Sequence, residues 1–400
     1  MWLESKIALR FLRQNLVQTS LILVGIAVGV SVIVFITTLI IGLQENIIQR
    51  TLGTQSHIRI EPADEINLTV TPPDNTIALR LEDPRAQRLR SINNWPAVQN
   101  TLDTLPSITA VSPVTTGPAF VRRASVLKAV SLIGIEPERY VRIIPVDEDI
   151  VAGRFKVGAG DAVIGTLLAR DLGVRIGSKV RIETGDGISA LVNIAGIFEL
   201  GVRDLDLRYM YVDLKQAQAL LELPGGVTQL DVTVKDIFSA DKVARRIRDL
   251  VGLKAESWIE TNAQLMNALS SQRLSSAMIS FFVALSVAFG IASVLAISVT
   301  QRTREIGILR AMGTQRPQMI KIFLIQGGLL GLMGAGAGAV LGTTLVWMFN
   351  TFGPRLFYVP LDARLIPVTM VLASVTGILA ASVPAWRAAR LNPVEAIRYV

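Results

Sequence analysis

The most informative segment of the chain is RTREIGILRAMG (302–313). Arg302, Arg304, Glu305 and Arg310 mark a short polar helix, and Ile306, Ile308 and Leu309 are apolar side chains available to dock on something. Gly313 ends this helix and Pro317 opens the next. These residue types suit a contact surface rather than bond-making chemistry. A short amphipathic helix between two long apolar runs has the shape needed to receive force from a partner. It also has the shape of a helix that lies on lipid, and the residues alone do not choose.

Chemistry of other kinds finds no footing in the sequence. There are no cysteines and one histidine, His57, so neither a Cys–His nucleophile nor a multi-histidine metal site can be built. No G-x-S-x-G occurs, and the acidic run Asp147, Glu148, Asp149 reads as a solvated loop. A phosphate loop needs G-x-x-x-x-G-K-[ST]. The nearest string, GVRIGSKV (173–180), lacks that spacing, and LPGGVTQ (223–229) reads as a turn. The expectation is no catalytic, metal or cofactor site in this chain.

A second pattern is small residues four apart, at Gly25 and Gly29, at Gly327 and Gly331, and at Gly334, Gly338 and Gly342. Four residues is close to one helical turn, so each set forms a flat stripe that lets another helix approach closely in lipid. The stripes serve either a helix–helix or dimer interface, or packing within the chain.

The elements that carry these patterns follow from charge and hydropathy. Mean hydropathy is +0.47, and half of the 400 residues are hydrophobic. No charged residue lies between Arg13 and Glu45, from Leu274 to Gln301, from Ile322 to Pro354, or from Leu365 to Trp386. A bilayer core takes about 20 apolar residues in a helix, which predicts four spans over 19–43, 277–299, 321–349 and 365–386. The first is longer than a signal-peptide core and no A-x-A site follows it, so it reads as a retained anchor. Residues 1–18 suit an amphipathic helix at the interface, either an elbow bracing the first span or a plain basic anchor. No ionisable side chain lies in the apolar core of any span, which counts against ion-coupled transport.

The net charge of +8 sits beside the spans. Residues 1–19, 300–321 and 387–400 hold 11 Lys/Arg and 3 Asp/Glu, whereas 44–276 holds 27 basic and 28 acidic residues. This positive-inside bias predicts both termini and the 300–320 loop in the cytoplasm, and the 44–276 domain and the short 350–364 loop outside. Nucleic-acid binding, the usual reading of a pI near 10.0, does not fit basic residues that flank spans.

The inserted domain reads as α+β. Helical patches fall at 97–105, 163–172, 214–222 and 240–251. Strand-like runs fall at 108–114, 119–123, 127–134, 178–184, 188–199, 208–212 and 229–234. Residues 62–95 read as a long loop, and about 150–220 as a separate β-rich lobe. Helical stalks are expected at both ends, 45–52 stopped by Gly53 and 262–276 leading into the second span. The fold expectation is an α-helical membrane protein of four transmembrane helices with an α+β extracytoplasmic domain between helices 1 and 2.

RTREIGILRAMG (302–313) closely resembles the loop of the FtsX-like ABC permeases, the superfamily of MacB, LolC and LolE. LNPVEAIRYV (391–400) resembles the closing motif, and IALRFLRQN with GIAVGV (25–30) the start. AVIGTLLARDLGVRIGSKVRI (162–182) and VNIAGIFE (192–199) resemble the MacB-like periplasmic core domain. The resemblance covers nearly the whole chain. It implies a bacterial inner-membrane permease that works as a homo- or heterodimer with two ABC ATPase subunits. Residues 302–313 would form the coupling helix, ATP and Mg would sit in the ATPase, and an adaptor or a lipoprotein chaperone would act at the periplasmic side. This sequence departs from MacB in carrying no ATPase motif, which implies a separate ATPase polypeptide.

Two activities follow from the resemblance. One is export or extraction of amphiphilic cargo, a lipoprotein, a lipid or a MacB-like efflux substrate. The other is an FtsX-like regulator that transmits force to a periplasmic enzyme and moves no cargo. A receptor or scaffold with no ATPase is a third reading. Loss of Glu305 or Arg310 is expected to uncouple ATP hydrolysis without unfolding the protein.

Overall fold

A computed structural model describes residues 2–14, 16–63, 89–353 and 357–391. Most of the 62–95 loop and residues 392–400, which hold all but the first residue of the closing motif and most of the 387–400 tail, lie outside the described residues. The charge-free runs all become helices, because in lipid only a helix satisfies its own backbone hydrogen bonds within one segment. In chain order the first two are α1 (Trp2–Gln14) and α2 (Leu16–Leu52).

The inserted domain begins with β1 (Ile58–Glu61), α3 (Trp95–Asp103), β2 (Ile108–Arg123), β3 (Val126–Ile135), α4 (Pro137–Tyr140), β4 (Ile150–Gly153) and β5 (Asp161–Gly165). It continues with α5 (Thr166–Leu172), β6 (Lys179–Glu183), β7 (Ser189–Phe198), α6 (Arg203–Arg208), β8 (Tyr209–Asp213) and α7 (Leu214–Leu220). It closes with β9 (Gln229–Val234), α8 (Ala240–Val251), β10 (Lys254–Ser257) and α9 (Trp258–Thr261). The remaining helices are α10 (Ala263–Gln301), α11 (Thr303–Ala311), α12 (Arg316–Phe352) and α13 (Leu365–Ala389). Of these, α2, α10, α12 and α13 are long and apolar enough to cross a membrane.

Each transmembrane helix runs beyond its predicted apolar core. The predicted stalk at 45–52 continues α2 without a break, and the 262–276 stretch is the first part of α10. The chain divides into a membrane unit, Met1–Ile48 with Asn267–Val400, and a domain unit, Gln49–Met266.

The domain is built on two β-α-β halves, β1–α3–β2 and β9–α8–β10, whose strands interleave in the order β10-β1-β9-β2 with all neighbours antiparallel. This is a split β-α-β frame. Everything from β3 to β8 is inserted between its second and third strands. That insert closes on itself: β2 pairs with β3, β3 with β8, β8 with β5, β5 with β7, β7 with β6, and β6 returns to β2 at Phe120↔Glu183 and Val121↔Ile182.

The result is a six-stranded barrel, and closure removes the unpaired edges of its strands. Alternation sorts the side chains. Val121, Leu132, Ile164, Ile182, Ile194 and Val212 point into one buried cluster with Leu168 of α5 and Leu220 of α7. The opposite face carries Ile133, Val163 and Tyr211, which pack with Tyr140, Ile144 and Phe198.

Three expectations for the domain are corrected. The runs 108–114 and 119–123 form one 16-residue strand, because Pro113, Gly117 and Pro118 punctuate the sequence without ending the ladder. Residues 163–165, expected at the start of a helix, belong to β5, and the helix begins at Thr166. The 150–220 stretch is not a separate lobe. Its barrel borrows β2 and β3 from the chain before it, and the stretch also holds α5, α6 and α7.

Candidate functional site: the 302–313 helix and what it touches

Residues 303–311 form the expected short helix. Gly313, with φ of +101°, stops it, a backbone conformation that side chains with a Cβ rarely adopt. The amides of Gly313 and Thr314 then close back on Arg310 O and Leu309 O. The next helix starts two residues later with a reciprocal cap between Gln315 and Gln318 and with Pro317 in its first turn.

The seven predicted contact residues divide between two faces. Arg304, Glu305 and Ile308 are exposed, and so are Ala311 and Met312. Leu309 is half-buried at the margin. Arg302 and Ile306 are buried, and Arg310 is partly buried. Ile306 packs among Phe11 of α1, Val299 of α10, Phe323 of α12 and Ala385 of α13.

Arg302 lies under the start of the helix. Its guanidinium donates to Phe11 O at 2.8 Å and to Gln14 Oε1 at 3.1 Å, and stands 4.7 Å from the centre of the Phe11 ring. At the other end, Arg310 donates to Ala389 O at 3.0 Å and to Leu391 O. The expectation that all seven residues form one docking surface is therefore corrected. Arg302, Ile306 and Arg310 are spaced four apart and face the other helices. Arg304, Glu305 and Ile308 face away from them, joined by Ala311 and Met312. The signal that separates the two sets was in the sequence as helical period.

Most of the glycines have their partners inside the chain. A Cβ on Gly327 would meet Gly377 O at 2.5 Å, and one on Gly331 would meet Ala373 O at 2.5 Å, so these two glycines of the α12 stripe lie against α13. Gly334, Gly338 and Gly342 lie against Ile26, Val30 and Val34 of α2, and Gly29 against Val287 of α10. Gly25 faces open space. Of the two readings of the stripes, packing within the chain accounts for every one of these glycines except Gly25.

Among the described residues, the inserted domain buries two carboxyl groups, Asp206 and Asp231. Asp231, 4% exposed, accepts from Ser56 Oγ at 2.9 Å and from Gln229 Nε2 at 3.1 Å. It borders a polar cavity of about 120 Å³ lined also by Arg59, Thr116, Tyr140 and Tyr209. Burial raises its carboxyl above the ordinary carboxylate value, partly offset by Arg59 beside it. His57, the lone histidine, is half-buried and held lower by burial. Its ring Nδ1 lies 3.1 Å from the Val234 amide. No group of three or more acidic or histidine side chains able to hold a metal occurs among the described residues.

Comparison with known proteins places this geometry. Residues 19–250 match the model of the MacB-like periplasmic core domain, and residues 277–393 match the FtsX-like permease C-terminal model. The chain is 24% identical over 438 residues to the lipoprotein-releasing system transmembrane protein LolC of Neisseria meningitidis serogroup B, covering 99% of each. It is also 24% identical over 416 residues to the macrolide export ATP-binding/permease protein MacB of Shewanella oneidensis, covering 98% of this chain and 60% of that one. The crystal structure of the periplasmic region of MacB from Actinobacillus actinomycetemcomitans aligns with a TM-score of 0.36 at 14% identity, over 55% of this chain and 95% of that one. With one family model matching residues 19–250 and the other residues 277–393, the chain belongs to the FtsX-like ABC transporter permeases that carry a MacB-like periplasmic core domain.

Proposed function

We propose that this permease is driven by separate ABC ATPase subunits that dock on the outward face of α11, and that it moves amphiphilic cargo at the periplasmic side of the inner membrane. The observation that carries the docking assignment is the division of α11 into two faces. One face is fixed against the neighbouring helices. The other presents Arg304, Glu305, Ile308 and Met312, two charges of opposite sign beside two exposed apolar side chains, with Met312 71% and Ile308 44% exposed. A charged rim around an apolar centre is the composition of a protein contact. The basic residues around α11, in α1 and after α13 support a cytoplasmic position for this end of the membrane unit, the side that holds ATP. Relatives named for lipoprotein release and for macrolide export support this cargo class.

The test is purification of the tagged protein from its native membrane in mild detergent, with mass spectrometry of what accompanies it. An ABC ATPase is expected. A lipoprotein, a lipoprotein chaperone or a second permease with it would favour extraction, and a periplasmic adaptor would favour efflux. An ATPase together with a cell-wall enzyme or its activator would favour a force-transmitting regulator without cargo. Absence of any ATPase would overturn the proposal.

A further inference from the structure

The two inward arginines of the 302–313 segment have the same kind of partner at opposite ends of α11. A helix leaves its last four carbonyls without intrahelical donors, and its C-terminus carries partial negative charge. Near the end of α1, Leu12 O accepts from Thr19 Oγ1 at 2.9 Å, and Phe11 O accepts from Arg302. At the end of α13, Ala389 O and Leu391 O accept from Arg310. Arg302 and Arg310 are eight residues apart, which is about 12 Å along a helix. Between them, Ile306 is fully buried in the cluster shared by α1, α10, α12 and α13.

We propose that Arg302 and Arg310 are force-transmitting clamps that tie α11 to the ends of α1 and α13, and that neither contacts the ATPase. The inference rests on the reading of α11 as the coupling helix and deepens it. A push on the outward face moves α11, and two charge-assisted hydrogen-bonded ends oblige α1 and α13 to follow as one body. α1 leads into α2, the first span. α13 is locked to α12 where Gly327 meets Gly377, so the third and fourth spans move together. Arginine suits this role because its planar fork reaches two acceptors at once and keeps its charge. Removing either side chain leaves carbonyls at a helix end short of a donor, which is more disruptive than losing a surface ion pair. Both residues are therefore positioning residues that act through α1 and α13.

The experiment uses the whole complex with its ATPase in lipid nanodiscs. The chain has no cysteine, so Leu9→Cys on α1 and Val383→Cys on α13, both exposed, place one pair of spin labels in each copy of the chain, diluted with unlabelled copies and combined with a cysteine-free ATPase. The distance between them is measured without nucleotide and with ATP under hydrolysis arrest, alongside the amount of ATPase retained. In the otherwise unaltered protein the distance is expected to stay the same in both states, because clamped ends move together. In Arg302→Met and in Arg310→Met the ATPase is retained, but the distance is expected to broaden and to become nucleotide-dependent as one end slips. A merely structural role would alter the distance equally with and without ATP.

Loss of the ATPase from either folded methionine variant would overturn the proposal, since the arginines would then be docking residues. So would a nucleotide-dependent distance in the unaltered protein, or a constant one in both variants. If the methionine variants fail to accumulate, Arg302→Lys and Arg310→Lys carry the test. Lysine keeps the charge and reaches one acceptor, so a smaller shift of the same kind is expected, and none in either would overturn the clamps. Absence of ATPase from the unaltered protein would instead overturn the coupling-helix reading, and the clamps with it.

Discussion

The inserted domain and the membrane unit weight their means of holding elements together differently. In the domain, strands close into a ring and apolar side chains, mostly Val, Leu and Ile, fill it. Val121, Leu132, Ile164, Ile182 and Ile194 are all fully buried. In the membrane unit, the closest contacts are made where side chains are missing, at Gly327, Gly331 and Gly377, and where a guanidinium reaches a helix end. Water drives apolar side chains together in the domain. Lipid gives helices no such drive, so they associate through close backbone packing and polar ties. The domain is thus fixed by volume and the membrane unit by distance at a few points. The outer faces of its helices carry large apolar side chains, as at Phe281, Phe282 and Phe289 of α10.

The largest expected effect breaks the distance rule. A leucine at Gly331 has backbone atoms of α13 within 2.5 Å of its first carbon, so α12 and α13 must separate. Gly331→Leu is expected to abolish accumulation of folded protein in the membrane. Gly25→Leu, where nothing lies within 4 Å, is expected to leave it unchanged, and size-exclusion profiles of the two variants make the comparison. If both behave alike, the glycine contacts are not what joins the helices.

Volume is tested in the barrel. Ile164→Ala opens a cavity in a fully buried position and is expected to destabilise the domain by about 2–5 kcal/mol, read from denaturant unfolding. An exposed apolar residue of the same barrel, Leu191 at 57% exposure, gives the contrast. Leu191→Ala is expected to change stability by less than about 0.5 kcal/mol.

The smallest effect concerns Asp231. Its carboxyl is raised above 3.8, first by burial, so the folded domain holds a proton that the unfolded chain has released. Stability from this group is present at low pH and declines as pH rises from 3.8 through the folded value. Asp231→Asn keeps an oxygen for Ser56 and Gln229 and carries no titratable proton. Its melting temperature is expected to fall less steeply over that window, and an unchanged slope would place the titration elsewhere.

Much of this arrangement was legible in the sequence, to different depths. Charge-free runs marked all four long helices, because lipid excludes charge from one stretch of chain at a time and the signal is local. Barrel closure was not legible. It depends on β6 meeting β2 about 60 residues away, and neither strand carries a mark of its partner. β2 was read as two strands because Gly and Pro are local signs of a break, whereas its ladder is held by β3, β6 and β9.

At the candidate site, the position and ends of α11 were plain from Gly313 and Pro317. The roles of its residues were not, since the charged side chains of this helix lie on both of its faces. Arg302 and Arg310 are charged and inward because, Gln14 Oε1 apart, their acceptors are backbone carbonyls at residues 11, 389 and 391, and every residue type carries a carbonyl. Helical period alone would have grouped them with Ile306.

The most direct measurement uses the absence of cysteine once more. Ile308→Cys and Met312→Cys place single thiols on the outward face of α11, and Ala311→Cys a third between them. Their rates of alkylation are compared in membranes that retain the ATPase and in membranes stripped of it. Slow labelling with the ATPase and fast labelling without it at all three positions is expected of a face that the ATPase covers. Equal rates in the two preparations would contradict docking on α11.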